Sequence, residues 1–467
     1  MSKQYDYDAI IIGAGIGGLV CGCYLAKAGM KVLITEKNFK VGGYCTSFKR
    51  DDVLFDACVH LIGGCGENGV ITNILRDLKM GGEIVFSRMS PHRVVISEHK
   101  KIEIDLNIQA TIENLCRYFP EERKYLKMFF DIVMKEEYVK LAAKLKNLTF
   151  EQFFKSYITN KELNNLFSFL FFLSSGLPSN LLSGLFGVIL LKEYIIDGGY
   201  YLKNGIQELP DKLSGTFVNL GGTVLLNSEV EKVIINENSR AIKIKSAEEI
   251  TTNIIISNID VIHNLKNLLA TKDAEEMLKP LLKMEPSLSG FILYLKLNKN
   301  PLFSSYVHYI SLKKDIENHL YNRLVKNDFR DIYLDCFFNN SDAGYKAVIG
   351  LMAPFNDKDF WVKNKSVLTK KILKKFMSKT GLTSDDIELK ETVTPISLYN
   401  WSSSYKGANF GWAPLVSQIF PNFKLESNIP NLYFVGHWLG RGHGISSVAS
   451  LGKYIANTIL GYRNKIL

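Results

Sequence analysis

Residues 7–20 read YDAIIIGAGIGGLV, an apolar run that stops at a cluster of glycines and then continues in a helical pattern. The β-branched stretch at 10–12 predicts a strand buried on both faces. Gly13, Gly15 and Gly18 follow with the spacing GxGxxG, before a helix predicted over 18–29. Such glycines let a pyrophosphate approach the backbone, and the free N–H groups of the helix start face the phosphates. The stretch therefore predicts a dinucleotide site.

A second predicted strand, KVLITEK, strengthens this interpretation because it ends in an acid. Glu36 lies about twenty residues after Gly15, where a carboxylate accepts hydrogen bonds from ribose hydroxyls. The unreplaced acid argues against a 2′-phosphate, so NADP is not expected at this site. Strand, glycines, helix, strand and acid in register indicate a Rossmann-like domain.

Length and composition limit the possible classes of protein. A chain of 467 residues is too long for one core and predicts two or three domains. With 46% hydrophobic residues it is neither disordered nor fibrous. The net charge of +10 comes mostly from lysine, and nothing interleaves aromatic and basic residues as nucleic-acid grooves do. Seven cysteines without paired metal-ligand spacing indicate reduced thiols in a cytoplasmic protein.

The most apolar stretch, residues 163–191, is broken by Gly176, Pro178, Ser179 and Asn180. It falls short of the about twenty uninterrupted apolar residues needed to span a bilayer. Two interpretations stay open: a buried helical hairpin, and a surface that dips into lipid. We therefore predict peripheral membrane contact as an option for this segment.

The residues after Glu36 carry a resemblance to a known family. The stretch 38–64 reads NFKVGGYCTSFKRDDVLFDACVHLIGG. Its Gly42-Gly43 pair resembles the second glycine signature of the FAD-dependent amine oxidase and phytoene desaturase superfamily. FDACVHLIGG resembles the segment near the flavin in phytoene desaturases, carotenoid isomerases and retinol saturases, with Ala57-Cys58 where a glycine is often found. The stretch is slightly more similar to the saturase and isomerase branch.

The middle and the end of the chain extend this resemblance. LGGTVLLNSEVEKVIINE and IIISNID resemble the strands that contact the adenine and return to the sheet, and NIPNLYFVGHWLGRGHGISSVASLGKYIANTIL resembles the closing FAD motif. His437 departs from the family, which often has an acid or amide there. The resemblance implies non-covalent FAD held by Gly13, Gly15, Ile16, Gly17, Gly18, Glu36, Lys37, Gly42, Gly43, Tyr44, Val230, Gly436, His437, Gly444 and Ile445.

The FAD segments divide the chain into two discontinuous domains. Residues 1–90, 197–265 and 413–467 form the predicted FAD-binding domain of α/β class. Residues 91–196 and 266–412 form the predicted substrate domain, a mixed sheet with an apolar helical lid.

The resemblance places His60 beside the flavin, either as a proton-transfer group or as a histidine bonded to a backbone carbonyl. His443 is expected near the ring edge, where a turn-stabilising role is equally open. Tyr405 and Trp412 either stack on the substrate or the flavin, or belong to the core. No catalytic triad and no metal-ligand spacing is present in the sequence.

The resemblance implies an FAD-dependent oxidoreductase that desaturates, saturates or isomerises carbon–carbon bonds of an elongated apolar polyene or isoprenoid. NAD(P)H would visit only transiently, because no second nucleotide fingerprint is visible. The alternatives are an FAD-dependent amine oxidase, a polyene-cyclising oxidoreductase and a non-catalytic prenyl-binding protein similar to Rab GDP-dissociation inhibitors. The sequence leaves the oligomeric state open.

Overall fold

The computed structural model describes residues 5–105, 107–236, 239–244, 249–269, 271–301, 305–341, 344–419, 427, 429–439 and 442–461. The strands in these ranges are β1 (Tyr7–Ile12), β2 (Val32–Thr35), β3 (Ser47–Arg50), β4 (Val53–Asp56), β5 (Phe86–Arg88), β6 (Arg93–Ser97), β7 (Lys100–Ile104), β8 (Tyr200–Leu202), β9 (Thr223–Leu225), β10 (Val230–Asn236), β11 (Ser239–Ile244), β12 (Glu249–Ser257), β13 (Ser289–Leu297), β14 (Tyr306–Tyr309), β15 (Leu334–Ser341), β16 (Gly344–Ala353), β17 (Ile387–Val393) and β18 (Leu432–Phe434).

The α-helices in the same ranges are α1 (Ile16–Lys27), α2 (Val70–Asp77), α3 (Ile108–Cys116), α4 (Arg123–Lys135), α5 (Tyr138–Leu145), α6 (Phe150–Lys155), α7 (Lys161–Ser175), α8 (Gly184–Leu190), α9 (Glu208–Asn219), α10 (Val261–His263), α11 (Lys272–Leu281), α12 (Asn322–Leu324), α13 (Lys358–Thr380), α14 (Pro395–Ser402) and α15 (Ile445–Ile459). Short 3₁₀ turns cover Pro120–Glu122, Ser384–Asp386 and Tyr405–Gly407, and π-helical turns cover Leu191–Ile196, Asn264–Leu269 and Glu317–Tyr321.

The first sheet is built around β1, whose apolar residues are buried as the sequence predicts. Its strand order is β10-β11-β12-β1-β2-β9, and β18 pairs with β12. Five of these strands (β18, β12, β1, β2 and β9) are parallel, so their carboxyl ends lie at one edge. In parallel sheets that edge is where ligands bind.

Helices α1 and α15 pack on this sheet at very close range. A Cβ added at Gly452 would lie 2.4 Å from the carbonyl oxygen of Gly17, and one added at Gly17 would lie 2.5 Å from a methyl of Val435. Only glycine allows this approach, which brings the N-terminal ends of both helices to the carboxyl edge of the sheet.

The second sheet is mixed, in the order β17-β13-β16-β15-β14-β6-β7. Only β6 and β14 pair in parallel; the other pairs are antiparallel. Helix α13 covers one face through the buried side chains of Trp361, Leu368, Ile372 and Phe376. The opposite face looks toward the first sheet.

Helices α3–α8 form an apolar layer beside the second sheet, with a phenylalanine-rich core that includes Phe129, Phe150 and Phe167. Every position from 163 to 191 is buried or half-buried. This burial fits the interpretation as a buried hairpin. None of the helices in the described ranges is long and apolar enough to cross a membrane.

The two sheets draw on different parts of the chain. Strands of the first sheet come from 1–90, 197–265 and 413–467, and strands of the second come from 91–196 and 266–412. This distribution is consistent with the predicted domain boundaries, which stay a prediction.

Candidate functional site

A long cavity runs from the carboxyl edge of the first sheet to the open face of the second. At one end it is lined by the turn after β1 and by residues that follow β2, β12 and β18. At the other end it is lined by β6, β13, β14, β15 and β16, and by Leu173, Ser174 and Tyr194 of the helical layer. The cavity therefore joins all three parts of the fold.

The glycine turn after β1 fits a ligand that approaches the backbone. Gly13 has φ +97°, and a Cβ there would lie 2.8 Å from Ile259. A Cβ at Gly18 would lie 2.5 Å from the carbonyl oxygen of Gly13. Gly15 caps α1 without any side-chain hydrogen bond, so the first N–H groups of the helix keep their capacity to bind an anion.

The second glycine pair lies directly against the first turn. The N–H of Gly42 donates to the carbonyl of Ala14 at 2.9 Å. Gly42 has φ +119°, and a Cβ there would lie 2.4 Å from the carbonyl oxygen of Cys45. Trp401 Nε1 donates to the carbonyl of Gly43 at 3.1 Å, and Tyr44 Oη lies 3.0 Å from Ser402 Oγ. The end of α14 thereby holds this glycine loop in place.

Glu36 is 7% exposed and ties the turn together. Its carboxylate accepts hydrogen bonds from the backbone N–H groups of Ala14 at 3.0 Å and Asn38 at 2.9 Å. Lys37 donates to Ser403 Oγ at 2.7 Å. Val230, at the start of β10, lines the same end of the cavity.

The turn before α15 lines the middle of the cavity with Gly436, His437, Gly444 and Ile445. Gly444 caps α15 without a side-chain hydrogen bond, as Gly15 does for α1. Burial lowers the pKa of His437 to about 3, so its imidazole is neutral near pH 7. A neutral imidazole fits the hydrogen-bonding role that the sequence suggests for this position.

His60 and His443 both line the cavity. The ring of His60 stacks on Phe337 with centroids 4.7 Å apart, and its buried Nδ1 has no hydrogen-bond partner. His443 Nε2 lies 2.8 Å from the carbonyl oxygen of Ser174, which can only accept, so Nε2 carries the proton. Burial lowers the pKa of each histidine to about 4. Both are therefore neutral near pH 7.

Four sequence-predicted residues lie outside the cavity lining. Gly17 and Gly18 instead provide the close contacts of α1 described above. Tyr405 is half-buried behind the wall, and the ring of Trp412 packs edge-on against Trp438 at 4.8 Å. Of the two roles left open for Tyr405 and Trp412, their surroundings fit the core.

The second sheet presents polar residues to the cavity that the sequence did not predict, among them Arg93, Tyr306 and Asp335. Asn258 was not predicted either, and its Nδ2 donates to the carbonyl of Gly13 at 3.1 Å. The available signal was a charged residue at an inward position of an apolar strand, as in DIYLDCFF for Asp335.

These features fit a dinucleotide cofactor. Two helix starts without side-chain caps, two glycine loops with no room for a Cβ at Gly13 or Gly42, and a buried carboxylate surround one groove. The residues that would hold FAD are Gly13, Gly15, Ile16, Glu36, Gly42, Gly43, Val230, Gly436 and Ile445.

Comparison with known proteins agrees with this geometry. The family model for flavin containing amine oxidoreductase matches residues 16–460. An inactive all-trans-retinol 13,14-reductase from Danio rerio is 29% identical over 59% of this chain and 52% of the relative. A 4,4'-diapolycopene oxygenase from Methylomonas sp is 23% identical over 98% of this chain and 99% of the relative.

The chain spans about half of the length of the retinol reductases it matches. Among solved structures, an oxidoreductase from Methanosarcina mazei has a TM-score of 0.67 at 16% identity, covering 96% of this chain and 99% of that one. This similarity confirms the predicted fold class: a Rossmann-like cofactor domain with an inserted mixed-sheet domain and a helical lid.

Proposed function

Because the chain belongs to the flavin containing amine oxidoreductase family, with FAD as its cofactor, we propose that it is an oxidoreductase acting on carbon–carbon bonds. Its substrate would be an elongated apolar molecule of polyene or isoprenoid type. The names of the retinol reductase and diapolycopene oxygenase relatives support this substrate class.

One observation carries the proposal: the cofactor groove opens directly into a pocket with a largely apolar wall. Leu173, Ile292, Val348, Leu351, Met352 and Phe410 line this part of the cavity. Such a wall excludes water and binds a hydrocarbon chain by burying its surface.

When bound, FAD supplies a ring that accepts or gives hydride. The chain's own residues position the substrate and keep the site dry. His60 is held flat on Phe337 and neutral, so it offers an uncharged imidazole nitrogen to the cavity. Burial raises the pKa of Cys58 to about 12, which keeps this lining thiol protonated and unreactive. The Nε2–H group of His443 donates to the carbonyl oxygen of Ser174. This hydrogen bond joins α7 of the helical layer to the turn before α15.

An amine oxidase is the second candidate, favoured by Asp335, a carboxylate in the cavity wall that could pair with an ammonium group. Two observations weigh against it. Arg93 lines the same wall and would repel a protonated amine. Among the described lining residues, the single lysine is Lys37, at the far end beside Glu36.

Membrane contact stays a proposal that needs residues other than 163–191. Helices α4 and α5 carry three exposed apolar side chains, those of Tyr125, Met128 and Val139, and the same two helices also contain several lysines. Co-sedimentation with anionic liposomes tests this contact, and recovery of all the protein in the supernatant, with none bound to the liposomes, would contradict it.

The reaction is tested by product analysis. The purified protein should show a flavin spectrum, and NADPH should be tried as reductant under anaerobic conditions. Oxidised and reduced protein are then incubated with a polyene hydrocarbon, with all-trans-retinol and with a diamine. We expect a change of double-bond number or geometry in a polyene. Flavin reduction by the amine alone would overturn the proposal in favour of the amine oxidase, and absence of flavin after FAD is supplied would favour the prenyl-binding alternative.

A further inference from the structure

Arg93 is the most unusual residue of the cavity wall. It starts β6 and lines the cavity, yet the residue is only 9% exposed. Arginine is almost never buried to this extent unless it is paired. Its guanidinium charge therefore calls for a physical explanation.

The partners of Arg93 within the protein are weak. Its Nη2 lies 3.4 Å from Ser174 Oγ, and its guanidinium lies 5.5 Å from the ring centre of Tyr306. Among the described residues, no carboxylate lies within the 4.0 Å that defines an ion pair with it. A guanidinium carries five N–H donors, so most of its capacity is unused.

The carboxylate that the same sheet face presents to the cavity is Asp335, and it is distant from Arg93. Arg93 is opposite Tyr306 on β14, whereas Asp335 lies on β15, opposite His308. Arg93 and Asp335 are thus two strand spacings apart across the sheet and two residues apart along it, about 12 Å between their backbones. The structure shows no ion pair between these two described residues. Asp335 therefore leaves the charge of Arg93 uncompensated.

A buried charge without a partner is strongly destabilising, whereas a hydrogen-bonded pair offsets the loss of solvation. We propose that Arg93 is the centre of an anion subsite, and that the substrate carries a carboxylate at one end of its apolar body. A carboxylate matches the guanidinium in charge and can bind two of its N–H groups at once. This inference rests on the proposed function and narrows its substrate class from a hydrocarbon to a polyene or isoprenoid acid.

The surroundings of Arg93 suit a molecule of this kind. Leu173 and Phe410 line the cavity near Ser174, and Ile292 and Met352 continue the wall along the sheet. A carboxylate held at Arg93 would leave the rest of the chain against these apolar side chains. Arg93 would act as a specificity residue, which sets the orientation of the substrate and takes no part in the redox step.

The experiment compares a matched pair of probes on the flavin-loaded protein. All-trans-retinoate and its methyl ester share one polyene body and differ in the negative charge. Their dissociation constants are measured by fluorescence quenching in the wild type and in the variants Arg93→Met, Arg93→Lys and Arg330→Met. Arg330 is an 81%-exposed arginine outside the cavity and serves as the matched control.

We expect the wild type to bind the acid at least about ten-fold more tightly than the ester. Arg93→Met should abolish this preference while ester binding stays the same, Arg93→Lys should retain part of it, and Arg330→Met should keep all of it. The comparison within the wild type holds even if a variant fails to fold.

The contradicting outcomes separate the two proposals. Equal binding of acid and ester by the wild type overturns the anion subsite alone. If folded Arg93→Met no longer binds either probe, or no longer holds flavin, then Arg93 serves the cofactor site or the fold. This outcome also overturns the subsite. A preference for the acid without any polyene product leaves the subsite standing and overturns the proposed reaction. Binding of neither probe by the wild type overturns both.

Discussion

At the scale of single residues, Glu36 connects two segments of the cofactor turn. Its carboxylate accepts from the N–H groups of Ala14 and Asn38. Replacement by alanine removes both acceptors and the carboxylate that the sequence predicts to bind the ribose. We expect Glu36→Ala to be purified with about ten-fold less flavin per protein, measured by the ratio of flavin to protein absorbance.

Two variants make this result interpretable. Glu36→Gln keeps one acceptor oxygen and should retain an intermediate amount of flavin, because its amide NH₂ cannot accept the second hydrogen bond. Glu83→Ala removes an exposed acid and should retain it fully. Full flavin occupancy in Glu36→Ala would show that the acid does not serve the cofactor.

The residues that the sequence could predict are those with a local backbone signal. Gly13, Gly15 and Glu36 sit at fixed spacings after predicted strands, so a short window suffices to find them. Arg93 and Asp335 have no such signal. A charged residue in an alternating strand usually faces solvent, and only the packing of one sheet against another domain turns it toward a cavity.

At the scale of elements, the close contact between α1 and α15 positions the glycine turn that precedes α1. A Cβ at Gly452 would lie 2.4 Å from a backbone oxygen of α1, which cannot move without displacing the glycine turn. We expect Gly452→Ala to lower the free energy of unfolding by about 1–3 kcal/mol. Urea titration followed by circular dichroism measures this change.

Gly215 provides the matched control, since it also lies within a helix, α9, and has open space around it. The same substitution there should stabilise the protein by about 0.5–1 kcal/mol, because alanine favours a helix over glycine. Equal effects at both positions would mean that the close contact of α1 with α15 contributes nothing.

The sequence predicts whether a segment forms a helix or a strand better than it predicts what packs against that segment. The pattern that predicts a helix over 18–29 corresponds to α1. The helical layer was ambiguous because an apolar run reads the same whether protein or lipid covers it. The π-helical turn Leu191–Ile196 left no recognisable pattern in the sequence.

At the scale of the whole molecule, five chain segments combine into two sheets that enclose one cavity. The resemblance at both ends and in the middle of the chain indicates which segments form the cofactor domain. The second sheet has no comparable motif, so the sequence predicts a mixed sheet there without the order of its seven strands. Strand order depends on long-range pairing, which local patterns do not encode.

Burial lowers the pKa of six histidines, including His263 and His308, and this predicts how stability depends on pH. Burial lowers the pKa of His60 and His443 to about 4, and that of His92 and His437 to about 3, from an ordinary value of 6.5. Below pH 6.5 the unfolded chain takes up protons that the folded protein does not. Stability is therefore complete above pH 6.5 and falls as the pH decreases toward 4.

Asp260 acts in the opposite direction, because burial raises the pKa of this carboxyl to about 6. Burial also raises the pKa of Glu122 and Glu193. The histidines with a lowered pKa outnumber these three carboxyls, so we expect a net loss of stability in acid. Urea titrations at pH 7 and pH 5 should show it.

The variant His92→Phe tests the cause, since His92 is fully buried and lies outside the cavity lining. The loss of unfolding free energy between pH 7 and pH 5 should shrink by about 2 kcal/mol in this variant, whatever its absolute stability. His99→Gln, at an exposed position, should leave the pH dependence as it is in the wild type. An unchanged slope in His92→Phe would mean that the imidazole is protonated, or reached by water, in the folded protein. The buried histidines would then not be the groups that make the protein sensitive to acid.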